Sequence, residues 1–227
     1  MTTEPDNTNA NETLLGQRWR RHNAAWIDAV RARRIPSRVA VTDQALVDAI
    51  LDYRPDTLLD LGCGEGWLAR RLAPLGIAVT GIDAAPDLID AARQAGGGLF
   101  RVAGYDALPP ALGTFAMAVS NFALLGKEPV EHLFANLPQL LPGGHFIVQT
   151  LHPLIACGEQ PYRDGWRQDS WTAFSAGVEE PPPWYFRTLE SWVRLFGAHG
   201  LRLLELREPR APATGQPASV IFIAAVP

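Results

Sequence analysis

Apolar and polar positions alternate along the chain with a period that changes several times, and each change marks an element. Leu15, Trp19, His22, Trp26 and Val30 recur at spacings of four and three, so they share one face of a helix whose arginines mostly take the other face. Ahead of that helix, residues 1–13 carry three acidic residues and no apolar run, which predicts a disordered leader. Thr42 or Asp43 caps a second helix reaching about Tyr53. From there the pattern switches between short apolar runs and helical stripes. Thr57–Leu61, Ile77–Ile82, Leu99–Ala103, Phe115–Val119 and His145–Thr150 read as strands. Between them, helices are expected over Trp67–Leu75, from Pro86 to Ala95, and on the stripe Val130, Leu133, Phe134, Leu137 and Leu140. Strands alternating with helices imply a parallel sheet covered on both faces.

The C-terminal third breaks this rhythm. Cys157–Phe186 holds four prolines and seven aromatics, among them Trp171 and Phe174, with no regular period, and reads as an insertion. Leu189, Trp192, Val193 and Phe196 form one more helical stripe, closed by Gly200. Leu201–Leu206 and Val220–Val226 follow as strands joined by a loop with proline and glycine, an antiparallel pair at the sheet edge. The resulting division has an N-terminal helical lid over 14–53, a core over 54–152, an aromatic insertion over 153–187 and a terminal helix with a strand pair over 188–227.

Composition narrows the class. With 227 residues, 47% of them hydrophobic and 19% charged, the chain suits one packed domain rather than a disordered or fibrous protein. A net charge of −4 gives no global attraction to nucleic acid or an acidic membrane. The apolar runs are of strand length, and no signal-peptide pattern opens the chain, so a cytoplasmic location is expected. Two cysteines, Cys63 and Cys157, exclude a disulfide scaffold or a multi-cysteine metal site, and no metal is expected.

Chemistry concentrates where the first strand ends. Leu58–Leu61 runs into Gly62, Gly64 and Gly66 at alternate positions, and a helix begins at once. Such a turn brings a ligand against bare backbone and offers it the free N–H groups of a helix start. Asp83, 21 residues past Gly62, ends the second strand, where a carboxylate can accept both hydroxyls of a ribose. The third glycine comes one position too early for a dinucleotide fingerprint. Asp60, also at a strand end, is unhelpful beside a pyrophosphate but suits a ligand with an ammonium group.

The segment Asp60-Leu61-Gly62-Cys63-Gly64-Glu65-Gly66 closely resembles the first motif of the class I S-adenosylmethionine-dependent methyltransferases. Gly81–Ala84 resembles the second motif, and Gly104–Pro109 is similar to the third. Val119–Leu125 looks like the segment after the fourth strand, and Leu140–Phe146 matches the turn into the fifth. The resemblance implies an α/β Rossmann-like fold with a mostly parallel seven-stranded sheet and an antiparallel last strand. It implies S-adenosyl-L-methionine as cofactor and S-adenosyl-L-homocysteine as product. Gly62 and Gly64 would lie along the methionine moiety, with Asp60 toward its ammonium. Asp83 would hold the ribose and Asp106 the adenine amino group. Ala84, Tyr105 and Ala107 would border the adenine, and Asn121 and Phe122 would floor the pocket near the sulfonium.

Displacement from a sulfonium needs a base only when the acceptor must lose a proton. His152, just past the fifth strand, is the best-placed candidate. Trp26, Arg38, Tyr162, Trp166, Tyr185 and Arg187 are the expected acceptor contacts. Aromatic faces mixed with guanidinium groups suit a planar or apolar small molecule bearing an anionic group. Three alternatives stand beside this reading: a nicotinamide-dependent oxidoreductase, a non-catalytic adenosyl-binding protein, and an RNA methyltransferase using the arginine-rich helix.

Overall fold

The structure, a computed structural model, describes residues 7–168 and 180–227; Trp171 and Phe174 lie outside them. A 24-residue helix, α1 (Thr8–Arg31), precedes a short π-helical turn at Arg38–Thr42 and α2 (Asp43–Tyr53). The core then alternates: β1 (Thr57–Leu61), α3 (Trp67–Leu72), β2 (Ala78–Asp83), α4 (Pro86–Ala95), β3 (Leu99–Val102), β4 (Met117–Asn121), α5 (Glu128–Leu140) and β5 (His145–Thr150). One helical turn, α6 (Pro153–Ala156), leads to a small hairpin of β6 (Gly165–Arg167) and β7 (Trp184–Phe186). The chain ends in α7 (Leu189–Ala198), β8 (Arg202–Arg207) and β9 (Val220–Ala225).

Seven strands form one sheet in the order β3-β2-β1-β4-β5-β9-β8. β1 to β5 are mutually parallel, while β9 pairs antiparallel with both β5 and β8. β9 is therefore the single reversed strand of the sheet, as the resemblance implies. On one face α5 and α7 bury Leu133, Phe134, Leu137 and Phe196 against the strands. On the other, α2, α3 and α4 bury Leu46, Ile50, Leu68, Leu72 and Ile89. Both faces are covered, which is why β1, β4 and β9 read as nearly continuous apolar runs instead of alternating ones.

The N-terminus differs from expectation. Residues 8–13, assigned by composition to a leader, are the first turns of α1. The stabilising contacts are tertiary and have no local signature: Glu12 accepts the backbone N–H groups of Lys127 (2.6 Å) and Glu128 (3.2 Å), and Thr8 receives the Trp166 indole N–H at 3.4 Å.

Candidate active site

Strand order reverses between β1 and β4, and a crevice opens at the carboxyl ends of the strands there. α1 lies along that crevice. Between them is a cavity of about 460 Å³, lined by the ends of β1, β2 and β4, by Gly104–Asp106, and by α1 residues from Glu12 to Trp26. Its size falls in the usual range for a small-molecule site. Of the residues expected at the cofactor, Gly62, Gly64, Asp83, Ala84, Tyr105, Asp106, Asn121 and Phe122 all line it. Asp60 and Ala107 do not; Asp60 is buried in β1, and Ala107 lies on the exposed surface.

The turn after β1 is held by its neighbour: the N–H groups of Gly62 and Cys63 both donate to the Ile82 carbonyl at 2.9 and 3.0 Å. Gly62 and Gly64 have φ of 76° and 55°, so glycine is required for conformation alone. At Gly62 it is also required for space, because a Cβ would stand 2.3 Å from the Ala123 Cβ and 2.8 Å from the Tyr105 hydroxyl. Asp83 fixes the turn from the side. One of its oxygens accepts the Gly64 N–H at 3.0 Å and the other the Ala85 N–H at 2.9 Å. Each oxygen keeps a lone pair for a further donor. Burial raises the Asp83 carboxyl, and those two backbone bonds oppose the rise. Cys63 is pushed upward chiefly by burial, then by Asp60 and Asp83, which leaves it an inert thiol.

Three buried polar atoms near this turn have no hydrogen-bond partner among the described residues: Asp60 Oδ2, Thr42 Oγ1 and one terminal nitrogen of Arg38. Burial, then the neighbouring Asp83 charge, pushes Asp60 up to about 7, while Arg38 opposes the shift. Buried polar atoms without partners are costly and rare. A carboxylate and a guanidinium left in this state are complementary to the ammonium and carboxylate of an amino acid. Neither group is in the lining of the cavity itself, and Arg38 borders a separate cleft with Val30, Asp43 and Trp67. The pair therefore fits an amino-acid group only as a charged layer behind the glycine turn, with Asp83 at the cavity wall for an adenosine.

At the end of β4 the backbone is strained. Phe122 has φ of 54°, a left-handed conformation costing a non-glycine residue on the order of 1–3 kcal/mol. Its N–H bonds the Gln149 carbonyl at 2.8 Å, which holds it there. The Gln149 side chain donates to Asn121 Oδ1 (2.8 Å) and to the Thr42 carbonyl (3.0 Å), and accepts from the Ser219 hydroxyl (3.1 Å). This buried network ties the π-helical turn, β5 and β9 to the floor of the cavity.

Most expected acceptor contacts lie elsewhere. Trp26 does line the cavity, with its indole nitrogen 3.6 Å from the place a Cβ on Gly64 would take. Arg38 is buried behind it, bonded to Asp43 at 2.8 Å and stacked 4.7 Å from the Trp67 ring. Tyr162 accepts the Leu189 N–H at 2.9 Å at the start of α7. Trp166 packs edge-on against Tyr185 at 5.7 Å, and neither reaches the cavity. Arg187 lies between the rings of Tyr185 and Trp192 and spends its donors on the Gly126 (2.9 Å) and Lys127 (3.1 Å) carbonyls. The guanidinium groups expected to meet an anionic substituent are thus structural in this fold. His152 is likewise outside the cavity: it is buried, with Nε2 2.8 Å from Glu208 Oε1, and its carbonyl starts α6. That placement removes the expected base.

Trp19, Leu125, Glu12 and Pro129 also line the cavity; Leu125 closes the Val119–Leu125 motif, whereas Glu12 and Pro129 were not anticipated. Trp19 had a signal in the helical stripe, where it stacks 5.4 Å from Trp26. Glu12 had none, because its polar surroundings in the sequence resemble those of a tail. α1 is also pinned at its far end by Arg31, whose Nε donates to the buried Glu65 of the glycine turn at 2.9 Å.

Comparison with known proteins agrees with this geometry. Residues 20–206 match a family model described as a methyltransferase domain. An uncharacterised methyltransferase of Mycobacterium tuberculosis is 34% identical over 179 residues, covering 70% of this chain and 88% of that protein. An uncharacterised methyltransferase of Schizosaccharomyces pombe is 28% identical over 160 residues; the match takes in 65% of this chain and only 60% of that protein's length. Among solved structures, an S-adenosylmethionine-dependent methyltransferase from Mesorhizobium loti superposes with a TM-score of 0.62 at 25% identity, over 78% of this chain and 96% of that one. The strand order, the glycine turn with its facing carboxylates and these matches lead to one conclusion: the chain belongs to the S-adenosylmethionine-dependent methyltransferase family.

Proposed function

We propose that the chain transfers a methyl group from S-adenosylmethionine to a small-molecule acceptor in the cavity beneath α1. The observation that carries this reading is the shared wall. The cofactor-facing residues Gly62, Asp83 and Asp106 and the apolar residues Leu15, Trp19 and Leu125 line one space of about 460 Å³. Asp83 is assigned to the ribose hydroxyls, Asp106 to the adenine amino group and Asp60 to the ammonium. Arg38, expected at the acceptor, is reassigned to the cofactor's carboxylate because its unpaired nitrogen is buried near Asp60. When bound, the cofactor supplies an activated methyl group on a sulfonium. The protein's part is then to orient the acceptor and exclude water, worth about 7–11 kcal/mol in favourable geometry.

Within the arginine-rich stretch, Arg18 and Arg31 spend donors on the Pro181 carbonyl and on Glu65 and the Ala91 carbonyl, while Arg20, Arg21, Arg33 and Arg34 are exposed, so RNA stays as a competing acceptor in the test. The test is incubation with S-adenosylmethionine and three acceptor pools: a small-molecule library, total RNA and denatured protein. Methylated products are read by mass spectrometry. Methylated small molecules are expected, and methylation confined to RNA or protein would overturn the proposal.

A further inference from the structure

The cavity's acceptor end carries a charge pattern that the substrate must match. Among the described residues lining the cavity, the charged side chains are Glu12, Asp83 and Asp106; no lysine, arginine or histidine is among them. Asp83 holds the glycine turn and is assigned to the ribose, and Asp106, assigned to the adenine, is exposed. Glu12 stands apart from both, on α1, at the end bounded by Gly126 and Pro129. Its carboxylate fills the place where a Cβ on Gly126 would lie, 2.6 Å from Oε2. The backbone bonds from Lys127 and Glu128 both fall on Oε1. The tilted pair Trp19 and Trp26 lies on the same helix face and also lines the cavity.

Resting on the methyltransferase reading above, we infer that the methyl acceptor is an amine on a flat apolar body, and that Glu12 binds its nitrogen and takes its proton. An aromatic wall with a single facing carboxylate is the usual recognition of an organic cation. Among the described residues that line the cavity, a carboxylate or phosphate acceptor would meet only like charge. A phenol would have to become a phenolate beside Glu12, whereas an amine becomes neutral as it gives up its proton. The ammonium proton passes to the Glu12 carboxylate, and the freed nitrogen lone pair forms a bond to the methyl carbon. The carbon–sulfur bond breaks with its electron pair remaining on sulfur, and the positive charge moves to the N-methylated amine. Glu12 then returns its proton to solvent.

The surroundings of Glu12 suit this role. Burial raises its carboxyl above the usual carboxylate range, and the adjacent Glu128 adds to the rise. The backbone bonds from Lys127 and Glu128 and the Arg187 guanidinium behind them act in the opposite direction without cancelling it. A base raised in this way holds a proton more readily during turnover.

The test uses the full chain saturated with S-adenosylhomocysteine and titrated with phenethylamine, phenylethanol and phenylacetate. Wild type is compared with Glu12→Gln, whose amide oxygen still accepts the α5 N–H groups. Phenethylamine is expected to bind at least about tenfold more tightly than phenylacetate, as a charge-assisted hydrogen bond predicts. Its affinity should weaken as acid protonates Glu12. The variant should lose both the preference and the pH dependence while keeping its affinity for S-adenosylhomocysteine. Equal or stronger binding of phenylacetate or phenylethanol, no binding of phenethylamine at millimolar concentration, or an unchanged preference in the variant would overturn the inference. Failure of wild type to bind S-adenosylhomocysteine would instead overturn the methyltransferase reading itself.

Discussion

Asp60 gives the cofactor site a pH dependence that can be worked out in advance. Its carboxyl lies at about 7 in the folded, ligand-free protein, against 3.8 for an unperturbed aspartate. The difference of about three units corresponds to something on the order of 4 kcal/mol against ionising it in place. The folded value is the higher one, so between pH 4 and 7 the folded state holds a proton that the unfolded chain has lost, and stability falls as pH rises through that window. If an ammonium group pairs with Asp60, binding requires the carboxylate ionised and the amine protonated. The first condition is met above about 7, and the second holds throughout that range because the ligand's own carboxylate keeps its neighbouring amine protonated. Affinity for S-adenosylhomocysteine should therefore rise by roughly tenfold between about pH 6 and pH 8. Calorimetry in two buffers of different ionisation enthalpy should detect proton release below pH 7. Asp60→Asn should abolish this rise, bind more weakly at about pH 8 and remove the loss of stability with pH. A flat affinity from pH 6 to 8 with no buffer-dependent heat would refute the pairing of Asp60 with the ammonium.

Other consequences concern the scaffold. Gly62→Ala should cost about 2–5 kcal/mol, the sum of a left-handed backbone penalty and overpacking against Ala123 and Tyr105. Gly64→Ala has room beside Trp26, 3.6 Å away, and should cost only about 1–2 kcal/mol; urea denaturation of the pair checks the order, and equal losses would contradict it. Arg187→Ala strips two carbonyls and a ring sandwich from a buried site and should destabilise by about 2–4 kcal/mol. The thermal midpoint should fall by roughly 4–16 °C. Retention of the wild-type midpoint would show that Arg187 does not hold the Gly126–Lys127 turn.

The core was legible in the sequence because its signals are local. A strand running into alternate glycines, a strand-end aspartate and helical stripes each depend on neighbours within about twenty residues, and Gly62, Gly64 and Asp83 stand where those signals put them. The acceptor side was not legible in that way. Tyr162, Trp166 and Arg187 have the composition of a binding surface, yet their side chains are consumed in holding the hairpin β6–β7 and α7 to the rest of the chain. Composition cannot say which face of an irregular segment turns toward ligand. Glu12 shows the converse: a long-range bond to the start of α5, 115 residues away, gives order and purpose to a stretch whose own sequence predicts neither. His152 differs from expectation for a related reason: its position after β5 suits a base, but its ring is held by Glu208 and is not among the described residues lining the cavity.

Equilibrium titration with S-adenosylmethionine, with NADH as the control ligand and Asp83→Ala beside wild type, tests the central assignment most directly. Wild type should bind S-adenosylmethionine and not NADH. The variant, confirmed as folded by its thermal melt, should bind at least about tenfold more weakly for the loss of the ribose contacts. Preference for NADH, or an affinity for S-adenosylmethionine that ignores Asp83, would contradict the account.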